Sequence, residues 1–557
     1  MVMDVYLKCM AILSLLVSWV ATGADASGGG RRGTWELLLN STGVVAMHMA
    51  LTHANTVIMF DQTRAGRSGY RLSNHHPKGR RRCNPMSTDP SCWAHSIEYR
   101  IATNKIRPLT LKTDTWCSSG SFSSNGTLIQ SGGYGKGYRR IRYFKPCSNT
   151  NCDWRESKAF LSDNRWYASN LLLPDDRVIV VGGRKVFTYE FIPKTSPREG
   201  SFELPFLRQT DDRAEGGNNL YPFLHLSSGG NLFIFANRDS ILFNYKKGRV
   251  VKTFPRMPGE GPRNYPSTGS SVMLPLDHAY GFRKVEIMIC GGAVSGAYES
   301  AKKRIFLKGL SSCGRMVITR KTPKWLMEEM PGPRLLNDMV ILPTGDILII
   351  NGAKHGCAGW NVAATPSLKP YLYKPMKRVG KRFSVLKSTH IPRMYHSSAI
   401  LLPDGRVLVA GSNPQKRYTF SGVEFPTELR LQAFVPYYMG KFFDNKRASN
   451  LSILHQSGKM GVRYGEEFSV QFELRRRPSK VVVFHVYAPP FVTHSISMNQ
   501  RMLKLRCKRM VRREDGEVIA VLVAPPSPNV APAGYYLLTV VNEGIPSKAS
   551  WVRFIHA

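Results

Sequence analysis

Tyr395 and His396 stand side by side at the head of an apolar run, PRMYHSSAILLPDGRVLVAG, and Tyr167 heads a similar run, NRWYASNLLLPDDRVIVVGG. Cys117 opens a third, CSSGSFSSNGTLIQSGG, and His494 follows paired prolines in PPFVTHSISMNQR. Phenol, imidazole and thiol groups bind metal ions and move protons, which makes these residues candidates for chemistry. Taken singly, each has a commoner structural use. Tyr221 and Tyr265 hold the same place in their own runs, so an aromatic there is ordinary packing. A lone histidine such as His494 is more often a satisfied polar residue. Adjacent side chains face opposite sides of a regular strand, so Tyr395 and His396 can both be ligands only at an irregular strand start.

The elements that position these residues form a repeat. Its units run from Val44 to Asp61, Cys117 to Gly133, Trp166 to Gly183, onward from Tyr221, then Tyr265 to Gly292, Leu335 to Gly352 and Tyr395 to Gly411. Each unit reads as a hairpin. The turns SNG, PDD, SGG, PTG and PDG supply Asn, Asp and Gly where tight turns need positive φ. The strands are nearly continuous apolar runs, as in a sheet covered on both faces. Successive starts lie about 40 to 70 residues apart, the spacing of four-stranded propeller blades. The pattern predicts a seven-bladed kelch-type β-propeller over residues 31–422, with the heads of the inner strands pointing to its axis. After Phe425, the runs RLQAFV, FSVQFEL, KVVVFHVY, VIAVLVA and YYLLTVV lack the Gly-Gly punctuation. They predict a C-terminal immunoglobulin-like β-sandwich over residues 425–557, with the prolines before His494 marking a loop that reaches outward.

Residues 1–24 have the layout of a secretory signal peptide, with Lys8, an apolar run from Met10 to Ala21, and small residues at Gly23 and Ala24. That run is about a dozen residues, short of the ~20 that span a bilayer. The expectation is a secreted or wall-bound protein without a membrane anchor. Sequons at Asn40, Asn125 and Asn450 agree. Lys and Arg number 78 against 38 Asp and Glu, a net charge of +40 that predicts attraction to polyanions. No nucleic-acid-binding motif accompanies the charge. Lys78, Arg80, Arg81 and Arg82, and Arg139, Arg140 and Arg142, are candidates to bind an acidic cell-wall polysaccharide. Of 10 cysteines, Cys9 lies in the leader. Close spacing suggests the pairs Cys147–Cys152, Cys83–Cys92 and Cys290–Cys313, and an odd remainder leaves a thiol over.

In combination, the motifs are specific. TDTWCSSGS with NGTLIQSGG around Cys117, NRWYASNLLLPDDRVIVVGG, PRMYHSSAILLPDGRVLVAGS and PPFVTHSISMNQR occur in the order found in plant-type glyoxal oxidases, within the galactose oxidase family of copper radical oxidases. STDPSCWAHSIEY is also similar, and the resemblance runs from about Val44 to the C-terminus. It implies one copper held by Tyr167, Tyr395, His396 and His494, and a thioether between Cys117 and the Tyr167 ring that forms a radical cofactor. Imidazole and phenolate donors with an open position suit tetragonal Cu(II). It also implies Tyr395 as general base and oxidation of small aldehydes to carboxylic acids with O2, releasing hydrogen peroxide. The eight remaining cysteines would then form four disulfides. The alternatives are a primary-alcohol oxidase acting on cell-wall sugars and a non-catalytic polysaccharide-binding propeller. The sequence departs from the family after Gly133, where an acidic loop is replaced by Tyr134-Gly-Lys-Gly-Tyr138-Arg139-Arg140. It departs again at the Asp175-Asp176 turn, which should be structurally tolerable.

Overall fold

A computed structural model describes residues 32–72, 92–149, 151–454 and 461–556. The leader, the basic run at Lys78, Arg80, Arg81 and Arg82, and Cys83 lie outside them. Seven antiparallel sheets surround a central axis, each begun by a short inner strand. These strands are His48–Leu51, Ser119–Phe122, Ser169–Leu172, Phe223–Leu226, Ser270–Met273, Asp338–Ile341 and Ser397–Leu401. Every residue in them is buried except the half-buried Phe122. The second strands, such as Val178–Val181 and Ile347–Ile350, are wholly β-branched or leucine, which suits a sheet covered on both faces. At the third turn Asp176 has φ 66°, where the corresponding Gly345 and Gly405 have 83° and 95°. Aspartate visits this region more readily than most residues, so the Asp-Asp turn is tolerated.

The ring is closed by partners far apart in sequence. Thr34–Leu39 pairs with Leu431–Val435 and becomes the outermost strand of the seventh blade. The run RLQAFV, expected in the second domain, therefore belongs to the propeller. Beyond it, Ser449–Leu454, Glu467–Glu473 and Glu517–Val523 form one layer of a β-sandwich. Val483–Ala488, Gly534–Asn542 and Ser550–Ile555 form the other. The 12-residue strand Arg501–Arg512 joins both layers, shifting register between Cys507 and Arg509. Burial alternates along Glu467–Glu473 and Glu517–Val523, as one core-facing side requires.

One hairpin leaves the sandwich. Its strands, Phe491–Thr493 and Ile496–Met498, are fully buried inside the propeller channel. Phe491–Thr493 pairs with the inner strand of the first blade, and the hairpin touches the inner strand of every blade. The fit leaves no slack: a β-carbon on Gly120 would lie 2.4 Å from the Phe491 ring.

A buried arginine stands shortly before the inner strand of four blades. Arg165, Arg263, Arg334 and Arg393 donate to the carbonyls of Gly182, Gly291, Asn351 and Gly411 at 2.7–2.8 Å. Each guanidinium thus ties the approach to an inner strand to the end of the second strand. Arg142, expected on a polyanion-binding surface, is likewise buried, donating to Gln130 and to the Gly132 carbonyl. Part of the basic excess is therefore internal scaffolding, while Arg139 remains exposed. Cys147–Cys152 and Cys290–Cys313 are disulfides, and Cys92 is disulfide-bonded. Cys357 and Cys507 are free alongside Cys117, so the eight other cysteines do not make four bridges.

Arg393→Lys keeps the charge but loses the planar fork that reaches both Gly411 and Arg430. We expect a stability loss of about 2 kcal/mol, from a buried charged donor left partly unpaired. Calorimetry should show a thermal midpoint several degrees below the parent.

Candidate metal centre

The residues at the heads of the blades sit in left-handed backbone. Cys117 has φ 52°, Tyr167 64°, Tyr221 51°, Leu336 58° and His396 64°. Non-glycine residues seldom adopt this conformation, and its recurrence marks a position fixed by the surrounding structure. It resolves the geometry of Tyr395 and His396. The inner strand begins only at Ser397, so the two rings do not diverge: they stack with centroids 3.8 Å apart. Backbone bonds stitch adjacent blades at the same level. The Tyr167 N–H donates to Cys117 O at 3.0 Å, and the Tyr221 N–H to Tyr167 O at 2.9 Å.

His494 reaches this level from the second domain. It lies at the tip of the inserted hairpin, where His494 and Ser495 have φ 44° and 69°. Two consecutive positive values are the signature of a type I′ turn, which usually takes Asn-Gly. The Thr493 hydroxyl pairs with His494 Nδ1 at 2.7 Å, leaving Nε2 to face the pocket. There Nε2 lies 3.2 Å from Cys117 Sγ. The His494 ring centroid is 4.9 Å from that of His396, 5.6 Å from Tyr395 and 6.1 Å from Tyr167. The Cys117 thiol contacts the Tyr167 phenol. All five residues nominated from sequence therefore meet in one buried pocket.

Burial sets the protonation of these groups. It holds His396 and His494 well below the ordinary imidazole range, so both rings are neutral and keep a lone pair. It pushes the phenols of Tyr167 and Tyr395 and the Cys117 thiol well above their usual values. Neither phenol ionises there without a compensating positive charge, which a bound cation supplies. Among the described residues neither ring nitrogen of His396 has a hydrogen-bond partner, a costly state for a buried polar side chain. Cys117 Sγ and a nitrogen from each histidine lie within 4.8 Å of one another. Two imidazoles, two phenols and a thiol fit copper and not a hard cation such as magnesium or calcium.

A sixth member was missed from sequence. The Tyr265 hydroxyl bridges the two other phenols, 3.2 Å from Tyr167 Oη and 2.9 Å from Tyr395 Oη. Tyr221, which stands two residues before its inner strand where Tyr265 stands five before its own, instead donates to the Ser118 carbonyl at 3.0 Å. No sequence signal distinguished the two.

The family description "Glyoxal oxidase N-terminus" matches residues 47–438, and "Galactose oxidase-like, Early set domain" matches residues 450–554. The chain belongs to the glyoxal oxidase family. Aldehyde oxidase GLOX of Vitis pseudoreticulata is 44% identical over 528 residues, covering 94% of this chain and 97% of the relative. Aldehyde oxidase GLOX1 of Arabidopsis thaliana is 43% identical over 537 residues, covering 94% and 85%. A solved fungal alcohol oxidase of the AA5 family, in complex with copper, has TM-score 0.72 at 17% identity, over 94% of this chain and 99% of that one. That last likeness is one of fold.

For this glyoxal oxidase family member, His494→Ala should leave the propeller folded by circular dichroism but abolish copper retention by elemental analysis. Tyr265→Phe should retain copper and shift the phenolate-to-copper absorption band, because the bridging hydroxyl is gone.

Proposed function

We propose that this chain is a copper radical oxidase that converts small aldehydes, as their hydrates, to carboxylic acids. The balance is RCH(OH)2 + O2 → RCOOH + H2O2. The observation that carries this reading is the convergence of Tyr167, Tyr395, His396, His494 and Cys117 in one buried pocket of a glyoxal oxidase family chain. The relatives named aldehyde oxidase support the substrate class.

Tyr167, Tyr395, His396 and His494 would hold the copper, which when bound would supply one of the two oxidising equivalents and a Lewis-acidic position for the substrate oxygen. The Tyr167 ring would supply the other by its own one-electron oxidation. A thioether from Cys117 to that ring would spread the unpaired electron onto sulfur and ease that oxidation. Tyr395 accepts the substrate hydroxyl proton, with the Tyr265 hydroxyl in hydrogen-bonding contact 2.9 Å away. Tyr167 removes the hydrogen atom from the substrate carbon. Thr493 holds the His494 ring so that Nε2 faces the pocket. The apolar leader and the disulfides support secretion, and the net charge of +40 supports attraction to acidic wall polysaccharide.

An oxygen electrode tests the substrate class. Uptake with methylglyoxal should exceed uptake with galactose, and the reverse order would make the protein an alcohol oxidase. Cys117→Ser should keep copper yet lose at least about 100-fold in turnover, roughly 3 kcal/mol of barrier. Full turnover in that variant contradicts the radical mechanism.

A further inference from the structure

The wall that meets Tyr167 is aromatic over a wide area. The Trp166 ring lies 4.8 Å from Tyr167. Trp116 and Tyr134 lie 5.0 and 4.8 Å from Trp166, and Trp360 stacks on Trp116 at 4.9 Å. All four are partly exposed. They sit on the segments that lead into inner strands or follow second strands, at the same end of the propeller as the metal pocket. The indole nitrogens of Trp116 and Trp360 have no acceptor among the described residues.

Cations lie on these rings. The Arg184 guanidinium is 5.4 Å from Trp166, the Lys416 ammonium 5.9 Å from Trp360, and the Arg64 guanidinium 5.1 Å from Tyr134. All three are exposed. Arg64 is shared with buried Asp114 at 3.5 Å, whereas Arg184 and Lys416 form no ion pair among the described residues. Aromatic faces bearing exposed cations bind a flat organic frame by stacking and an attached carboxylate by charge. A neutral aldehyde uses the first and leaves the second idle.

We propose that this wall is a specificity subsite for a carboxylate carried by the substrate, so that the preferred substrates are aldehydes with an ionised acid group on a ring or flat frame. Arg184 and Tyr167 both contact the Trp166 ring, and a whole indole lies in the path. The acid group therefore belongs several bonds from the reacting carbon. This inference rests on the aldehyde-oxidase reading for its kinetic test but not for its binding test.

The kinetic test compares 4-formylbenzoate with its neutral methyl ester, in the parent and in the double variant Arg184→Gln/Lys416→Gln. In the parent, KM for the anion should be at least about tenfold lower, a difference of about 1.4 kcal/mol. The double variant should lose that preference while kcat and the ester's KM stay within about twofold, and added salt should erode it as well. The binding test titrates copper-free protein with terephthalate by calorimetry. Affinity should fall at least about tenfold in the double variant. Equal KM values in the parent, a parallel rise for both substrates, or terephthalate binding unchanged by the substitutions would overturn the subsite. If neither aldehyde is turned over, the aldehyde-oxidase reading fails, and the calorimetry still decides whether the wall binds a carboxylate.

Discussion

The seat of the Phe491–Met498 hairpin in the propeller channel is the constraint on which the centre depends. A propeller alone brings Cys117, Tyr167, Tyr395 and His396 to one level of its axis, but it leaves the axis itself open. The hairpin fills that space with buried side chains, hydrogen-bonds to the inner strand of the first blade and touches the other six. Its type I′ turn then carries His494 to the level of the other donors. Two domains whose apolar cores run into one another thus share one site. Because Gly120 has no room for a side-chain atom against Phe491, the depth of insertion is set by contact and not by adjustment.

The donors are held rigidly and in the wrong charge state to remain alone. Left-handed backbone at Cys117, Tyr167 and His396 aims the side chains inward, and buried arginines before Tyr167 and Tyr395 anchor the chain on the approach. Burial keeps both imidazoles neutral and both phenols protonated, and among the described residues His396 has no partner on either nitrogen. Such a pocket is unsatisfied until a cation enters. Preorganisation of this kind places the cost of ordering the site in folding and not in metal binding.

Much of this was legible in sequence because propeller signals are local. Apolar runs, Asn/Asp/Gly turns and Gly-Gly ends recur within each unit, and the motifs around Cys117, Tyr167, Tyr395 and His494 lie inside them. What was not legible depends on distant partners. RLQAFV looked like part of the second domain because its outer neighbour, Thr34–Leu39, lies at the other end of the chain. Arg142 looked like part of a polyanion-binding surface, since a guanidinium bonding to internal carbonyls leaves no compositional trace. Tyr265 and Tyr221 look alike in the repeat, but Tyr265 stands three residues farther ahead of its inner strand, and there its hydroxyl bridges two phenols where that of Tyr221 bonds to a carbonyl. Four disulfides were expected from the eight cysteines other than Cys117, yet among the described residues Cys357 and Cys507 are free.

The central claim is that donors from both domains bind one copper ion. Crystals of copper-loaded protein, measured at the copper absorption edge, test it directly. The expected result is a single anomalous peak within bonding distance of Tyr167 Oη, Tyr395 Oη, His396 and His494. A peak elsewhere, or one that the His494 imidazole does not reach, would contradict it.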